Sequence, residues 1–505
     1  MNNSNLKNIG VIGCGIMGQG IIQNLALYSF EVFVHDKNFN AIDRAINTIA
    51  KRLNRLVEKK ELTPTAAKQA IDRIHIAKDM NELKSSQVII EAVFESIDLK
   101  RAIFKALEEI VADNVILASN TSSLLIASIA RDCVIPERVA GMHFFNPVPL
   151  MKLVEIVAGP ATTDRTTETL LELSRMMGKV PVKVKDAPGF LVNLGGRAFT
   201  TEAMRLLHER IATPSQIDYI MRNHAGFRMG PLELADLTGV DVNYPVSKLI
   251  YEGYDHDPRL KTSFPHRQLF EAGTYGQKTK LGSYVYSKDG KKIDHDPYTK
   301  EAAGYPPLKT AVVAKSHLSV IELLTRTNIE VHSEDDGFSP IIVELYGEDC
   351  AAYAARTGCD HKRLLALDML FMSEQSITLM LPTGFDQMLA GGFITTMKSN
   401  KINVITIKDS PGFVAQRIVG MVANLGCEMA HTGIAKPHDI DHALRIGLNY
   451  PMGPLEWVEK IGVGRCYEII KSIQDITRDD RYRPSQWLRQ RALLKLKIHS
   501  EDDIL

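Results

Sequence analysis

The sequence predicts an α/β protein in which a doubly wound, mostly parallel sheet is followed by an all-α domain that occurs twice. Strand-like and helical runs alternate through the first 185 residues, and the pentapeptide DAPGF at 186–190 recurs as DSPGF at 409–413. Such alternation is typical of a parallel sheet covered by helices on both faces. The sequence therefore predicts a sheet domain at 1–185, a helical domain at 186–287, a degenerate sheet domain at 300–405 and a second helical domain at 406–505.

The first strand and the turn after it carry the clearest signal. The apolar run Asn8–Gly13 leads into the loop GCGIMG, a helical stretch follows, and the next strand-like run ends in Asp36. In this setting a G-x-G-x-x-G loop indicates a Rossmann fold, because its glycines let a pyrophosphate approach the free N–H groups of the helix. A strand-terminal acid binds ribose hydroxyls and repels a 2′-phosphate, so NAD is favoured over NADP. The predicted NAD contacts are Gly13, Cys14, Gly15, Ile16, Met17, Gly18 and Asp36.

The rest of the first domain adds a helical insert and further strands. Residues 39–75 are predicted to form a hairpin of two helices, the second starting at Thr63-Pro64, a favourable N-cap and first turn. The predicted strands are 87–92, 115–118, 139–143, 153–157 and 180–184, with helices at 99–111 and 164–177.

The repeat extends beyond the pentapeptide at a constant offset of 223 residues. Pro214 matches Pro437, and MGPLE at 229–233 matches MGPLE at 452–456. An ungapped match of this length indicates that one helical domain was duplicated. The interval 300–405 has strand-like runs but no second glycine loop, which indicates a Rossmann-like domain that has lost its cofactor chemistry. The stretch 288–307, rich in charge, Gly and Pro, is the expected linker.

The composition excludes several classes of protein. The 505 residues include 60 Lys+Arg and 60 Asp+Glu, so the formal net charge is zero. A nucleic-acid-binding protein is expected to carry an excess of positive charge, which this chain does not have. Six scattered cysteines without a CxxC pair argue against a disulfide framework. No apolar run is long enough for a membrane span, and the short segment before the first strand leaves no room for a signal peptide. We therefore expect a cytoplasmic protein with a small-molecule substrate, no metal site, and no nucleic-acid or membrane partner.

Polar side chains follow the predicted strands of the first domain. Ser122 comes after the strand 115–118, His143 ends the strand 139–143 with Asn146 just beyond it, and Glu155 lies in the next strand. Open α/β sheets bind ligands at the carboxyl ends of their strands. Taken alone, His143 would more often be a hydrogen-bonded core histidine, and Glu155 an ordinary strand carboxylate.

Together these motifs strongly resemble the short-chain 3-hydroxyacyl-CoA dehydrogenases. The resemblance rests on the glycine loop, SNTSS at 119–123, HFFNPVP with the following MKLVE at 143–155, and KDAPGF at 185–190 with Asn193. It runs from about residue 8 to 285. The duplicated layout is similar to that of the bacterial 3-hydroxyadipyl-CoA dehydrogenases of phenylacetate degradation. The implied reaction is the NAD-dependent oxidation of a (3S)-3-hydroxyacyl-CoA to a 3-oxoacyl-CoA.

The resemblance also implies roles for individual residues. His143 would be the general base and Glu155 its orienting partner, while Ser122 and Asn193 would hydrogen-bond the substrate oxygens. An imidazole that titrates near pH ~6.5 suits proton removal from an alcohol. Leu194, Lys280 and Ser283 depart from the family pattern, which concerns local packing and not the chemistry. The further implied cofactor contacts are Glu95, Lys100, Asn120, Asn146 and Lys278.

The helical hairpin is the expected contact for the phosphates of coenzyme A. Residues 41–75 hold eight Lys/Arg against four Asp/Glu. Arg52 and Lys59 fall where family members contact CoA, and Ser122 would also contact the substrate. A basic exposed helix is often only solvated, so this alternative stays open.

Other readings stay open at the level of sequence. A 3-hydroxybutyryl-CoA dehydrogenase of fatty-acid or butanoate metabolism is the alternative within the family. A non-catalytic, crystallin-like NAD-binding protein is the alternative from another class, although the retention of all four implied catalytic residues speaks against it. Relatives with one helical domain pair through it as homodimers. The two copies are therefore expected to form an internal pseudo-dimer, and further homo-oligomerisation is left open.

Overall fold

The computed structural model of the chain describes residues 6–299 and 304–502, and these form two compact units. The first unit contains the chain as far as Leu194 together with Thr432–Leu448. The second contains Gly195–His431 and the chain from Asn449 onwards. The units therefore do not follow the order of the four predicted domains, because one late segment packs with the first sheet.

The first unit is built on an eight-stranded sheet. Its strands are β1 (Asn8–Ile12), β2 (Glu31–His35), β3 (Ile74–Ile76), β4 (Val88–Glu91), β5 (Ile116–Ser119), β6 (Val139–Phe144), β7 (Leu153–Ala158) and β8 (Val180–Lys185). Their order is β3-β2-β1-β4-β5-β6-β7-β8, and neighbours run parallel except β6 and β7. The central strands β4 and β6 are short, mostly apolar and buried throughout, as is typical of strands covered on both faces. The α/β fold class predicted from the sequence is confirmed.

Helices cover both faces of this sheet. They are α1 (Ile16–Leu27), α2 (Phe39–Glu58), α3 (Pro64–Asp72), α4 (Ile97–Ile110), α5 (Ile126–Ala130), α6 (Asp164–Met176) and α7 (Val192–Gly195). The Thr63 hydroxyl accepts a hydrogen bond from the Ala66 amide at 3.2 Å, so it caps α3 as predicted. The predicted hairpin 39–75 extends too far, because Ile74 and His75 already belong to β3 and pair with β2.

The second unit combines helices, a small hairpin and a second sheet. Its first part holds α8 (Arg197–His208), α9 (Pro214–Asn223), α10 (Pro231–Thr238), α11 (Val240–Gly253), α12 (Phe264–Glu271), β9 (Val285–Tyr286) and β10 (Lys292–Ile293). The hairpin β9–β10 reaches into the predicted linker 288–307, of which residues 300–303 lie outside the described part of the chain.

The second sheet has six strands. They are β11 (Thr310–Val312), β12 (Glu330–His332), β13 (Ile341–Glu344), β14 (Leu364–Leu367), β15 (Ser376–Leu381) and β16 (Asn403–Lys408), with helices α13 (Leu318–Arg326), α14 (Cys350–Thr357) and α15 (Gln387–Ser399). Their order is β12-β11-β13-β14-β15-β16, with β14 and β15 antiparallel. The predicted division between residues 405 and 406 is wrong, because it falls inside β16, which pairs with β15 as far as Lys408.

The remaining helices follow the second sheet along the chain. They are α16 (Ala415–His431), α17 (Pro437–Leu448), α18 (Pro454–Ile461), α19 (Val463–Thr477) and α20 (Gln486–Leu494). Helix α17 belongs to the first unit and packs against β7 and β8. No helix in the described residues is long and apolar enough to cross a membrane.

Candidate active site

The loop between β1 and α1 is shaped by its three glycines. A Cβ on Gly13 would lie 2.6 Å from the Ala92 carbonyl oxygen, and one on Gly18 would lie 1.9 Å from the Gly13 carbonyl oxygen. A Cβ on Gly15 would meet no atom within 4 Å. Gly13 and Gly18 are therefore required by the fold itself, whereas Gly15 borders open space at a helix N-terminus that has no side-chain cap. This opening fits the pyrophosphate of a dinucleotide.

The remaining residues of this loop differ in their exposure. Ile16 is exposed and Met17 is half-buried, while Cys14 is buried. Burial and the nearby Asp36 raise the pKa of the Cys14 thiol to about 12, so the thiol stays protonated. The Asp36 carboxylate follows β2 and accepts hydrogen bonds from the Cys14 and Asn38 amides, each at 2.8 Å. Asp36 therefore stands beside the glycine loop, where an acid that binds ribose is required.

His143 and Glu155 form a buried pair on adjacent strands. They face each other in the antiparallel register of β6 and β7, and His143 Nδ1 lies 2.5 Å from Glu155 Oε2. His143 is 6% exposed and Glu155 is fully buried. Because the Glu155 carboxylate can only accept a hydrogen bond, Nδ1 carries the hydrogen and donates it, and the other ring nitrogen, Nε2, is left as the basic atom.

The turn that precedes α7 holds this pair in place. The second Glu155 oxygen, Oε1, accepts hydrogen bonds from the Leu191 and Val192 amides at 3.0 and 2.8 Å. The Phe190 ring lies 5.7 Å from the His143 ring, centroid to centroid, and Phe145 packs on it at 4.6 Å. Both oxygens of Glu155 are thus occupied, which fixes the carboxylate and through it the imidazole.

Ser122 and Asn193 come together beside this pair. Asn193 is the second residue of α7, and its side-chain nitrogen lies 3.4 Å from the Ser122 carbonyl oxygen. Ser122 is exposed and Asn193 is half-buried. Asn193 therefore connects the loop that carries Ser122 to the turn that holds the His143–Glu155 pair.

The loop that carries Ser122 is fastened by Glu95. One oxygen of Glu95 accepts hydrogen bonds from the Thr121 hydroxyl at 2.6 Å, the Ser122 amide at 3.0 Å, and the Ser123 amide and hydroxyl at 3.1 and 2.8 Å. Partial burial raises the pKa of Glu95, but these hydrogen bonds and the nearby Lys100 outweigh burial and lower it overall. The carboxylate therefore stays ionised.

Lys100 lies beneath Glu95 and is 1% exposed. Its ammonium is 2.7 Å from Glu91 Oε1 and 3.3 Å from Glu95 Oε2. Sequence reasoning missed Glu91, the acid that ends the apolar strand β4. The signal that could have found it is its position, since Asp36 follows β2 in the same way.

The other predicted contacts are more widely placed. Asn120 accepts a hydrogen bond from the Phe144 amide at 2.9 Å and so bridges the ends of β5 and β6, and Asn146 is exposed just beyond β6. Arg52 is half-buried on α2, and Lys59 is exposed at its end. Lys278 lies in the second unit, where its ammonium binds Asp241 at 2.7 Å.

The second sheet has a corresponding set of residues with different chemistry. Asp368 follows β14 and faces Thr378 of β15, as His143 of β6 faces Glu155 of β7. Gln416, which matches Asn193 at the offset of 223, donates to Asp368 Oδ1 at 2.9 Å. Asp368 is fully buried, and this burial raises its pKa to about 7. The described residues of the second sheet therefore have no histidine–carboxylate pair at this position.

Comparison with known proteins places the chain in a family. Residues 8–187 match the family model for the 3-hydroxyacyl-CoA dehydrogenase NAD binding domain, and residues 189–286 and 412–497 both match the model for the C-terminal domain of that enzyme. The 3-hydroxyadipyl-CoA dehydrogenase of Escherichia coli (strain K12) is 34% identical over 495 residues, which cover 97% of this chain and 98% of that protein. The chain belongs to the 3-hydroxyacyl-CoA dehydrogenases. It is an oxidoreductase that uses NAD.

Two further similarities bear on the substrate. The 3-hydroxybutyryl-CoA dehydrogenase of Clostridioides difficile is 37% identical over 280 residues, which cover 55% of this chain and 99% of that protein. The crystal structure of 3-hydroxybutyryl-CoA dehydrogenase from Escherichia coli K12 is 33% identical, covers 97% of this chain and 99% of its own, and has a TM-score of 0.86. Relatives with the full layout thus carry two different substrate names.

Proposed function

We propose that this dehydrogenase acts on (3S)-3-hydroxyadipyl-CoA, with His143 as general base, Glu155 as its orienting partner, and Ser122 and Asn193 as contacts of the substrate oxygens. The observation that carries the catalytic assignment is the His143–Glu155 pair, whose geometry leaves Nε2 as the basic atom beside two exposed or half-buried hydrogen-bonding side chains.

His143 removes the hydroxyl proton of the substrate through Nε2. The imidazolium that results is stabilised by the Glu155 carboxylate, which the Leu191 and Val192 amides hold in place. A fixed tautomer matters because only an unprotonated Nε2 can accept the proton. Bound NAD would accept the hydride from the carbon atom that carries this hydroxyl.

Ser122 and Asn193 hold the oxygen that becomes the ketone. Hydrogen-bond donors aimed at this oxygen stabilise the charge that develops on it as the proton leaves. The two side chains come from different elements, the loop after β5 and helix α7. The contact between Asn193 and the Ser122 loop supports a shared role for the two residues in binding this oxygen.

The cofactor is assigned to the carboxyl edge of the first sheet. Gly15 and the first turn of α1 would receive the pyrophosphate, Asp36 the adenosine ribose, and Asn120 and Asn146 the nicotinamide side. Glu95 and Lys278 stay predicted contacts of the cofactor. Arg52 and Lys59 on the helical hairpin stay predicted contacts of the CoA phosphates, because both lie at or near the surface of α2.

The adipyl substrate is preferred because a relative of that name shares the full length of the chain, whereas the C. difficile butyryl enzyme covers 55% of it. The alternative, 3-hydroxybutyryl-CoA, is favoured by the full-length E. coli structure of that name. Measuring kcat/KM for NADH formation with both thioesters decides between them. We expect kcat/KM to be at least about tenfold higher for the adipyl substrate than for the butyryl substrate. A kcat/KM for the adipyl substrate that is equal to or below that for the butyryl substrate would overturn the assignment.

We also infer that the chain is an internally duplicated pseudo-dimer. Helix α17 packs on β7 and β8 in the first unit, and its counterpart α9 contacts the second sheet, where Gln216 donates to the Thr406 carbonyl at 3.1 Å. The helices α8 and α16 pack together, with Glu202 bound by Arg417 at 2.7 Å and by Arg481 at 2.6 Å. Each helical repeat thus serves the sheet of the other half. Sedimentation of residues 1–290 tests this, since a stable and soluble monomer would contradict it.

A further inference from the structure

A buried cation lies at the centre of a network that ends on the Ser122 loop. The Lys100 ammonium contacts Glu91 and Glu95 at 2.7 and 3.3 Å. Glu91 also accepts a hydrogen bond from the Ser119 hydroxyl at 2.6 Å. Ser119 is the last residue of β5, immediately before the loop, so the two carboxylates bind the loop at its start and along its length.

Each carboxylate depends on the same ammonium. Glu91 is fully buried and Lys100 is 1% exposed, so neither charge is stabilised by water. An ionised group in such surroundings requires its partner. Without Lys100, Glu91 would be an isolated buried charge, and Glu95 would lose the cation that orients its second oxygen. The four hydrogen bonds that Glu95 accepts from Thr121, Ser122 and Ser123 would then loosen.

The second sheet supports this connection by contrast. Among the described residues it has no strand between β11 and β13, the place that β4 with Glu91 occupies between β1 and β5. The loop after β13 is held instead by Gln416, which donates to the Leu345 carbonyl at 2.9 Å and accepts from the Gly347 amide at 3.0 Å. The carboxylate–lysine network therefore accompanies the half that carries His143.

We propose that Lys100 is a positioning residue for the substrate, acting through Glu91 and Glu95 to hold the loop that carries Ser122 in place. This inference rests on the substrate role proposed above for Ser122. The Lys100 ammonium is buried and contacts two carboxylates, so its charge is balanced within the protein.

A double-mutant cycle on the full chain tests the proposal. In the wild-type background, we expect Lys100→Met to lower kcat/KM for the hydroxyacyl-CoA by about tenfold to a hundredfold, because small displacements of a positioned group are costly. The KM for NAD should change by a smaller factor than this, although Glu95 is also a predicted cofactor contact. In a Ser122→Ala background, the same substitution should lower kcat/KM by less than about threefold, because residues that act in series are not additive. Equal losses in both backgrounds, or a loss explained by the KM for NAD, would overturn it.

Arg138→Met is the matched control. Arg138 is another buried cation of the first unit and pairs with Glu108 at 3.4 Å, away from the Ser122 loop. Arg138→Met should change kcat/KM for the hydroxyacyl-CoA by the same factor in the wild-type and Ser122→Ala backgrounds. If Lys100→Met does not fold, the cycle is run with Ser119→Ala, which removes one hydroxyl of the network, and the same criterion applies.

Hydrogen–deuterium exchange separates this inference from the proposed function. The Ser122 and Ser123 amides donate to Glu95, so their exchange should be at least about tenfold faster in Lys100→Met and unchanged in Arg138→Met. Unchanged exchange in Lys100→Met would overturn the inference whether or not the enzyme is active. An inactive wild type would instead contradict the proposed function, and the exchange result would still decide the role of Lys100.

Discussion

The antiparallel strand pairs β6–β7 and β14–β15 occupy corresponding places in the two sheets but present different side chains. At the first, His143 faces Glu155 across an antiparallel pair, and at the second Asp368 faces Thr378 in the same way. Asn193 is half-buried beside the first pair, whereas Gln416 is 1% exposed and uses its amide entirely within the protein.

This difference separates what the fold requires from the side chains that we propose for the reaction. One helix N-terminus is bound in the same way in both halves. Asp186 accepts hydrogen bonds from the Ile126 and Ala127 amides. Asp409 accepts hydrogen bonds from the Cys350 and Ala351 amides. The side chains differ at three positions of the proposed site, and the described residues of the second sheet also have no counterpart of β4, the strand that carries Glu91. Function therefore depends on side chains placed on a scaffold that folds without them.

The largest effect should come from removing the imidazole of His143, the proposed base. We expect His143→Ala to lower kcat by about 10² to 10⁴-fold, because general base catalysis contributes about this much. Steady-state NADH formation at saturating substrate and NAD measures it. The matched control is Asp368→Asn, which changes the same position of the second sheet and should leave kcat within about twofold. Near wild-type activity of His143→Ala would remove His143 from its role.

The second effect concerns the stability of the second unit. Burial raises the pKa of Asp368 to about 7. Below about pH 4 this carboxyl is protonated in the folded and unfolded states alike. As pH rises from about 4 to 7 only the unfolded chain releases the proton, so stability falls, by up to about 4 kcal/mol above pH 7. We expect Asp368→Asn to remove most of this loss.

Urea unfolding at pH 5 and pH 8 measures this change. Trp457 and Trp487 are the two tryptophans of the chain, and both lie buried in the second unit, so their fluorescence reports on the unit that contains Asp368. The variant should gain more stability over wild type at pH 8 than at pH 5, where only part of the loss has developed. Since Asp218 also has a pKa raised by burial to about 7, each comparison is made between variant and wild type at one pH. An equal gain at both values would contradict the assignment to Asp368.

The fold was largely predictable from the sequence, and the site only in part. Alternating apolar runs predicted the first sheet, but three-residue β3 was missed because so short a run has no period. The packing of Thr432–Leu448 on the first sheet could not be predicted, since local pattern does not say which sheet a helix covers. The place of Asp368 opposite Thr378 depends on strand register, which only the folded sheet supplies.

A third, smaller effect should follow from Glu155→Gln. The amide keeps an oxygen for the Leu191 and Val192 amides but removes the charge that stabilises the imidazolium. We expect kcat to fall by about a hundredfold, since loss of such a carboxylate impairs a histidine base. Thr378→Val, at the matching position of β15, should leave kcat unchanged. If Glu155→Gln were as active as Thr378→Val, the carboxylate of Glu155 would not contribute to catalysis.

The smallest effect should come from Gly15→Ala. This substitution tests whether the absence of a side chain at residue 15 is needed for ligand binding or for folding. The added Cβ meets no atom within 4 Å, and the backbone φ of −67° suits any residue, so the thermal midpoint should stay unchanged. The KM for NAD should rise by about tenfold, or about 1.4 kcal/mol, because the methyl group occupies the approach of the pyrophosphate. Gly18→Ala is the opposite case, since its Cβ would lie 1.9 Å from the Gly13 carbonyl oxygen, and it should lower the thermal midpoint. If Gly15→Ala weakened folding as Gly18→Ala does, the opening beside Gly15 would belong to the fold and the pyrophosphate would have to bind elsewhere.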